Sequence, residues 1–108
     1  MYDLAIIGGG PAGTAAGVYA SRKHLNTVFI TKEWGGQSTV SPDIQNWVGS
    51  PSISGDQLAE DLKGHLKHYA GEHVDIINDQ CVESVSKIEG GFAIALADGS
   101  SQQATSVL

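Results

Sequence analysis

The sequence has a single cysteine, Cys81, among 108 residues. One cysteine excludes an internal disulfide, a Cys-x-x-Cys redox pair and a cysteine-rich zinc site within these residues. The scarcity of cysteine favours an intracellular, reducing setting, so we predict a cytoplasmic protein.

Positive charge and long apolar runs are also scarce. Six lysines and arginines stand against twelve aspartates and glutamates, which gives a formal net charge of −6. This balance argues against nucleic acid as a partner, because binding a phosphate backbone needs a basic surface. No stretch approaches the about 20 apolar residues of a membrane span, and the acidic start of the chain does not resemble a signal peptide. We therefore expect no membrane partner.

The first third of the chain has the pattern of a strand, a helix and a second strand. Residues 2–7 are apolar apart from Asp3, which is typical of a strand buried on both faces of a parallel sheet. Pro11 suits the first position of a helix that small residues continue to about Lys23. Residues 27–31 predict the second strand, and right-handed crossover makes the two strands parallel neighbours.

A long loop and a second helix follow. Residues 32–53 have no sustained periodicity and contain both tryptophans, so we expect a packed, functional loop. Ser54 and Gln57 match a capping box, in which Ser54 caps the helix and Gln57 reaches back to it. The helix behind them carries one apolar stripe, formed by Leu58, Leu62, Leu66 and Tyr69.

The last third of the chain predicts strands only. Residues 74–77 read as a third buried strand. Residues 82–88 and 92–97 alternate with a period of two and are separated by glycines, which predicts an antiparallel meander. Residues 104–108 begin a further apolar strand.

The glycine motif Gly8-x-Gly10-x-x-Gly13 lies between the first predicted strand and the first predicted helix, the context in which it indicates a dinucleotide. The first glycine makes the turn, the second lets the backbone approach a diphosphate, and the third allows close packing of helix on strand. The exposed N–H groups at the helix start and the positive end of the helix dipole then face the anion.

The end of the second strand normally supplies an acid for the ribose hydroxyls of a dinucleotide. Here the sequence reads Thr31-Lys32-Glu33. Thr31 offers one hydrogen bond, Glu33 offers a carboxylate further along, and Lys32 would suit a phosphorylated ribose. These residues alone leave FAD and NADP open.

Other reactive or aromatic residues have structural interpretations. His65 and His68 lie three apart without a third ligand, so we expect a solvated helix face and no metal site. We expect Cys81 to be a buried or half-buried cysteine without a redox role. Trp34 and Trp47 either cover a ligand pocket or anchor the long loop.

The opening motif, Gly35-Gly36-Gln37 and Asn46-Trp47 together resemble the thioredoxin reductase family, including the flavoprotein component of alkyl hydroperoxide reductase. The similarity covers essentially the whole chain. It implies a three-layer, Rossmann-like α/β domain that binds FAD or NAD(P), with a parallel sheet, helices on one face and an antiparallel β-meander on the other. It further implies non-covalent FAD, electrons from NADPH or NADH, a disulfide or similar acceptor such as a thioredoxin-like protein, and a homodimer.

The resemblance also implies a cofactor site. The FAD diphosphate would lie over the glycine loop, the adenosine ribose near the end of the second strand and the adenine beside the backbone of Val82. Gly36, Gln37 and Asn46 would lie along the flavin and ribityl end. The expected cofactor-binding residues are Gly8, Gly10, Pro11, Ala12, Gly13, Thr31, Lys32, Glu33, Gly36, Gln37, Asn46 and Val82.

By the same resemblance, residues 1–108 are the N-terminal segment of a FAD-binding domain. The NAD(P)H domain, its catalytic Cys-x-x-Cys and the C-terminal FAD segment would lie outside these residues, so we expect no catalytic residue here. Two alternatives stay open. One is a non-disulfide flavin reductase on the same scaffold, such as a ferredoxin–NADP reductase, and the other is a non-catalytic module that binds a dinucleotide.

Overall fold

The computed structural model describes residues Met1–Leu108. Its elements in chain order are β1 (Tyr2–Gly9), α1 (Pro11–Arg22), β2 (Thr27–Trp34), a short 3₁₀ helix (Gly36–Val40), α2 (Gly55–Ala70), β3 (Val74–Ile77), β4 (Val82–Ile88), β5 (Gly91–Leu96) and β6 (Ser101–Val107). Neither α-helix is long and apolar enough to cross a membrane.

The six strands form one mixed sheet in the order β3-β2-β1-β6-β5-β4. Strands β3, β2, β1 and β6 are parallel, whereas β6, β5 and β4 are antiparallel. Ala104 on β6 pairs with Tyr2 of β1 on one side and with Phe92 of β5 on the other. The last strand therefore joins the meander to the parallel sheet.

Two separate cores lie on the two faces of the parallel strands. Because successive strand residues point to opposite faces, Phe29 packs with Leu66 of α2 on the helix face, while Val28 and Ile30 pack with Ile94 on the meander face. The meander thus covers the face opposite the helices. The expected three-layer architecture is confirmed.

The long loop contains more regular structure than its sequence predicts. Strand β2 continues three residues beyond Thr31 to Trp34, and the 3₁₀ helix follows it directly. Two isolated bridges, Ile44 with Ile53 and Trp47 with Ser50, then form a small hairpin. In this hairpin Asp43 accepts hydrogen bonds from the side chains of Ser52 and Gln45, and these lower the pKa of its carboxyl.

Half of the predicted capping box is present at the start of α2. The Gln57 N–H donates to Ser54 Oγ at 3.1 Å, as expected of an N-cap. The reciprocal bond, in which the Gln57 side-chain oxygen would accept the Ser54 N–H, is absent, so this half of the prediction is wrong. The Gln57 side chain instead donates through Nε2 to Asp61 Oδ1 at 2.8 Å, one turn ahead on the exposed helix face.

The predicted apolar stripe of α2 is also partly wrong. Leu58 and Leu66 are buried, but Tyr69 is 40% exposed and Ala70 is buried in its place. The cause is the close approach of the two helices: a Cβ atom at Gly17 of α1 would lie only 2.7 Å from Leu66 Cδ1. The helix therefore turns its small residue inward and leaves the tyrosine ring at the surface, where His68 meets it edge-on.

Candidate functional site

The glycine loop joins the end of β1 to the start of α1. Gly8 has a φ of +107°, a conformation that side chains rarely adopt. A Cβ atom at Gly13 would lie 1.8 Å from the Gly8 carbonyl oxygen. Gly13 is therefore required by the packing of the helix on the end of the strand, as the motif predicts.

The N-terminus of α1 has no side-chain cap. Gly10 is the N-cap residue in an extended conformation, and Pro11 occupies the first turn. The Thr14 N–H donates to the Gly10 carbonyl at 3.0 Å, which closes the first turn. The N–H groups of Ala12 and Gly13 precede this bond and have no intrahelical acceptor. The arrangement presents two donors and the positive end of the helix dipole to an anion.

A side chain at Gly10 would clash with no protein atom. The nearest protein atom to a Cβ at this position would be the Gly36 Cα, 3.8 Å away, which is an ordinary contact. Nothing within the chain therefore requires glycine at position 10. A ligand that lies against the backbone gives a physical reason for its absence of a side chain, and the site fits a diphosphate in this respect.

Gly9 and Gly35 are absent from the expected cofactor-binding residues, although they connect the two glycine turns of the site. The Gly35 N–H donates to the Gly9 carbonyl at 2.8 Å, which holds the second glycine turn against the first. Gly35 and Gly36 both have positive φ, +90° and +55°. The consecutive glycines at both places were the sequence signal for this contact, since one turn needs fewer glycines than each run contains.

The site lies at the carboxyl end of β1, between two neighbouring strands that are far apart in the chain. Strand β1 has β2 on one side and β6 on the other, and β6 reaches the same end of the sheet through Leu108. The Ile7 N–H donates to the Leu108 carbonyl at 2.9 Å, and the Leu108 N–H donates to the Ala5 carbonyl at 2.8 Å. In open α/β sheets, ligands bind at the carboxyl ends of strands at such a switch point.

The end of β2 lies beside the glycine loop and presents mixed charge. Lys32 and Glu33 are exposed there. Thr31 is only 3% exposed, and its hydroxyl donates to the Glu33 carbonyl. The expected hydrogen bond from Thr31 to a ribose therefore competes with a bond already made inside the chain.

The remaining expected cofactor residues lie at different distances from the loop. Gln37 is exposed in the 3₁₀ helix beside Gly36. Val82 begins β4 near the end of β2, because the Gln80 N–H donates to the Thr31 carbonyl at 3.3 Å. Asn46 is exposed in the small hairpin and lines a separate, open cavity of about 520 Å³ formed by that hairpin alone.

The two tryptophans have different surroundings. Trp34 stacks on Phe29 with ring centroids 5.3 Å apart, and its indole N–H donates to Asn78 Oδ1 at 3.0 Å. Lys63 Nζ lies 5.5 Å from the centroid of the same ring. Trp34 thus anchors the end of β2 to α2. Trp47 is 39% exposed and lies over a cavity of about 200 Å³ between α1 and α2.

The other reactive side chains lie apart from the glycine loop. His65 and His68 are both exposed and both lie against the ring of Tyr69, as a solvated helix face predicts. Cys81 is exposed, so the expectation of a buried or half-buried cysteine is wrong. It lies in the bend before β4, where its carbonyl, and not its thiol, is fixed by the Ala97 N–H at 2.9 Å.

Known proteins resemble this chain in sequence along nearly its whole length. The F component of alkyl hydroperoxide reductase in Escherichia coli (strain K12) is 36% identical over 110 residues, which cover 99% of this chain and 20% of that protein. The NADH dehydrogenase of Bacillus subtilis (strain 168) is 30% identical over 107 residues, again 99% of this chain and 20% of that protein. The chain therefore spans about a fifth of the length of these curated relatives.

The fold is similar to that of solved thioredoxin reductases. The enzyme of Streptococcus pyogenes MGAS5005 superposes with a TM-score of 0.89 at 33% identity, over 99% of this chain and 34% of that one. Residues 2–107 also match the family model described as pyridine nucleotide-disulphide oxidoreductase. With the glycine loop, the switch point and the three layers in place, these similarities lead to one conclusion: the chain belongs to the pyridine nucleotide-disulphide oxidoreductase family.

Proposed function

We propose that this chain binds the adenosine diphosphate half of FAD at its glycine loop. The observation that carries the proposal is Gly10, which lies at a helix N-terminus without a side-chain cap and where a Cβ atom would clash with no protein atom. Enzymes of this family use FAD and NAD(P)H. A helix N-terminus with free N–H groups provides the positive potential that a diphosphate needs, even in a chain with a net charge of −6.

Most of the expected residues contact one particular part of the cofactor. The N–H groups of Ala12 and Gly13 donate to the diphosphate, and Gly10 leaves room for it. Lys32 and Glu33 face the ribose from the end of β2.

The remaining contacts extend to the two ends of the cofactor. The backbone of Val82 borders the adenine, while Gly36, Gln37 and Asn46 lie toward the ribityl chain and the flavin. The bound flavin supplies the electron-transfer chemistry, and these residues bind and orient it.

No cavity of the chain is lined by the glycine loop, as a segment of a larger domain predicts. The cavities lie between α1 and α2, within the small hairpin, and beside Tyr2 and Asn26. We therefore place residues 1–108 as the N-terminal segment of a FAD-binding domain. The NAD(P)H domain and a C-terminal FAD segment, which lie outside it, complete the flavin pocket.

In the whole protein, electrons pass from NADPH or NADH through FAD to a disulfide or a similar acceptor, such as a thioredoxin-like protein. The F components of alkyl hydroperoxide reductases and the thioredoxin reductases are the similar proteins that support this assignment. The protein acts in the cytoplasm as a homodimer. The isolated segment carries no catalytic residue and does not turn over.

A second candidate is a flavin reductase that does not act on a disulfide. The 30% identity to an NADH dehydrogenase favours it, since that protein's name gives no disulfide substrate. A ferredoxin–NADP reductase on this scaffold is another form of the same alternative. A Cys-x-x-Cys in the downstream sequence decides for disulfide chemistry, and its absence decides for the alternative.

The test is purification of the intact protein under native conditions. We expect a yellow protein with flavin absorbance, one FAD per chain, and anaerobic bleaching of the flavin by NADPH or NADH. Recovery of the oxidised spectrum on adding a disulfide substrate supports the first candidate. A colourless protein that binds NAD(P) but not FAD would contradict both flavin assignments and support a non-catalytic dinucleotide-binding module.

A further inference from the structure

Strand β2 carries a bulge beside the glycine loop. Ile7 pairs with Ile30 and Gly9 pairs with Trp34, so Gly8 alone on β1 stands opposite three residues of β2. These three residues are Thr31, Lys32 and Glu33. A bulge re-aims the side chains of the strand that carries it, and here it lies where a dinucleotide fold usually places its ribose ligand.

Thr31 makes the contacts that hold this bulge. Its hydroxyl donates to the Glu33 carbonyl and so closes the bulge on itself. A Cβ atom at Gly9 would lie 2.5 Å from Thr31 Oγ1 and 2.7 Å from the Glu33 carbonyl oxygen, so the glycine loop packs directly on this hydrogen bond.

The backbone of Thr31 reaches a third part of the site. Its carbonyl accepts the Gln80 N–H at 3.3 Å, two residues before Val82. One residue that is 3% exposed therefore touches the glycine loop, the strand end and the segment that leads to the proposed adenine contact.

We infer that Thr31 is a positioning residue. Its hydroxyl holds the bulge over residues 31–33 against Gly9 and so fixes the position of the adenosine end of the cofactor site, without itself touching the ligand. This inference rests on the proposed function. Ligand groups bind well only when their partners are held in place beforehand by surrounding hydrogen bonds. Removal of the hydroxyl leaves the Glu33 carbonyl without its donor and frees the bulge to move away from the ribose.

The test uses the intact protein freed of flavin, with ADP as the probe and calorimetry as the measurement. Thr31→Val keeps the shape of the side chain and removes the donor, and we expect about tenfold weaker ADP binding. Thr31→Ser restores the donor, and we expect it to restore the affinity to within about threefold of wild type. Should Thr31→Val fail to fold, Thr31→Ala also removes the donor and is expected to weaken ADP to the same extent.

A matched control exists on the same strand. Thr27 is fully buried, and its hydroxyl donates to the Leu25 carbonyl at 3.0 Å, at the opposite end of β2 from the glycine loop. Thr27→Val removes a comparable buried hydrogen bond, so we expect a similar loss of urea resistance with unchanged ADP affinity.

Three results would each overturn the inference while leaving the proposed function standing. They are wild-type ADP affinity in Thr31→Val, equal weakening of ADP binding by Thr27→Val, and no recovery of ADP affinity in Thr31→Ser. A wild-type protein that binds neither ADP nor FAD would instead overturn the proposed function together with this inference.

Discussion

Gly10 and Gly13 of the glycine loop should respond differently to substitution by alanine, the first through cofactor binding and the second through stability. Gly10 has φ −78° and ψ −173°, which alanine adopts freely, and its Cβ would meet no protein atom closer than 3.8 Å. Gly10→Ala should therefore change the free energy of unfolding by less than about 1 kcal/mol, because the lower freedom of the unfolded chain is opposed by the poor fit of alanine to the N-cap position that Gly10 occupies. The same methyl group enters the space proposed for the diphosphate, so FAD binding should weaken about tenfold or more.

Gly13→Ala should destabilise the fold itself. Its Cβ would lie 1.8 Å from the Gly8 carbonyl oxygen, whereas real Cβ contacts are essentially never under 3.0 Å. Helix α1 would have to move by more than 1 Å relative to β1. Overpacking of this kind costs about 3 kcal/mol.

The assay is urea unfolding of the flavin-free intact protein, combined with FAD titration of each variant. Gly64→Ala is the control, since a Cβ there meets nothing within 4 Å on α2 and should stabilise the helix by about 0.5–1 kcal/mol. Wild-type FAD affinity in Gly10→Ala would refute the placement of the diphosphate. Wild-type stability in Gly13→Ala would refute the packing of α1 on β1.

Three further predictions concern the scaffold. Leu66→Ala should cost about 2–5 kcal/mol of unfolding free energy, because Leu66 is fully buried between the helices and the sheet. Ser54→Ala should cost about 1 kcal/mol as a lost N-cap, whereas Gln57→Ala should change stability by under about 0.5 kcal/mol, since its side chain does not complete the capping box. The pKa of Tyr2 is raised above its usual 10.0, first because its hydroxyl donates to Asp75 at 2.7 Å. The stability that this hydrogen bond contributes to the fold is complete below the usual pKa of tyrosine and is lost as the pH rises through the raised pKa. Asp75→Asn removes the carboxylate that raises the pKa, so Tyr2 should form tyrosinate at a lower pH.

Each of these has a result that would contradict it. A Leu66→Ala variant no less stable than Leu62→Ala, which truncates a half-exposed neighbour, would contradict the core assignment. A loss in Gln57→Ala as large as that in Ser54→Ala would indicate a complete capping box. Tyrosinate absorbance that rises at the same pH in wild type and Asp75→Asn would contradict the Tyr2–Asp75 hydrogen bond, with Tyr2→Phe identifying the Tyr2 component.

The features that could be predicted from the sequence are those that depend on neighbouring residues. Strand β1, the glycine turn and helix α1 follow from consecutive residues, because an apolar run, glycines and Pro11 each restrict the local backbone. The alternating pattern of β4 and β5 predicted the meander for the same reason. Together these elements determine the layers.

The features that could not be predicted depend on partners distant in the chain. Tyr69 follows the periodicity of the α2 stripe, yet it is exposed. The rotation of α2 about its axis depends on the packing of Leu66 against Gly17 of α1, a contact between residues distant in the chain. Cys81 is exposed in a bend whose backbone is held by Ala97, 16 residues further along the chain. Single-sequence patterns do not contain these distances.

The site shows the same division. The glycine spacing predicted the packing role of Gly13, which the close approach of the Gly8 carbonyl confirms. The diphosphate role of Gly10 stays a prediction. The burial of Thr31 could not be foreseen, because it follows from a bulge that exists only when β2 pairs with β1. The hydrogen bond between Gly35 and Gly9 likewise requires two turns about 25 residues apart to meet.

The measurement that tests the central claim most directly is a crystal structure of the intact protein with FAD bound. We expect the diphosphate oxygens within hydrogen-bond distance of the Ala12 and Gly13 N–H groups and in van der Waals contact with the Gly10 Cα. A diphosphate bound elsewhere, with the α1 N-terminus facing only solvent, would contradict the assignment of this loop as the FAD diphosphate site.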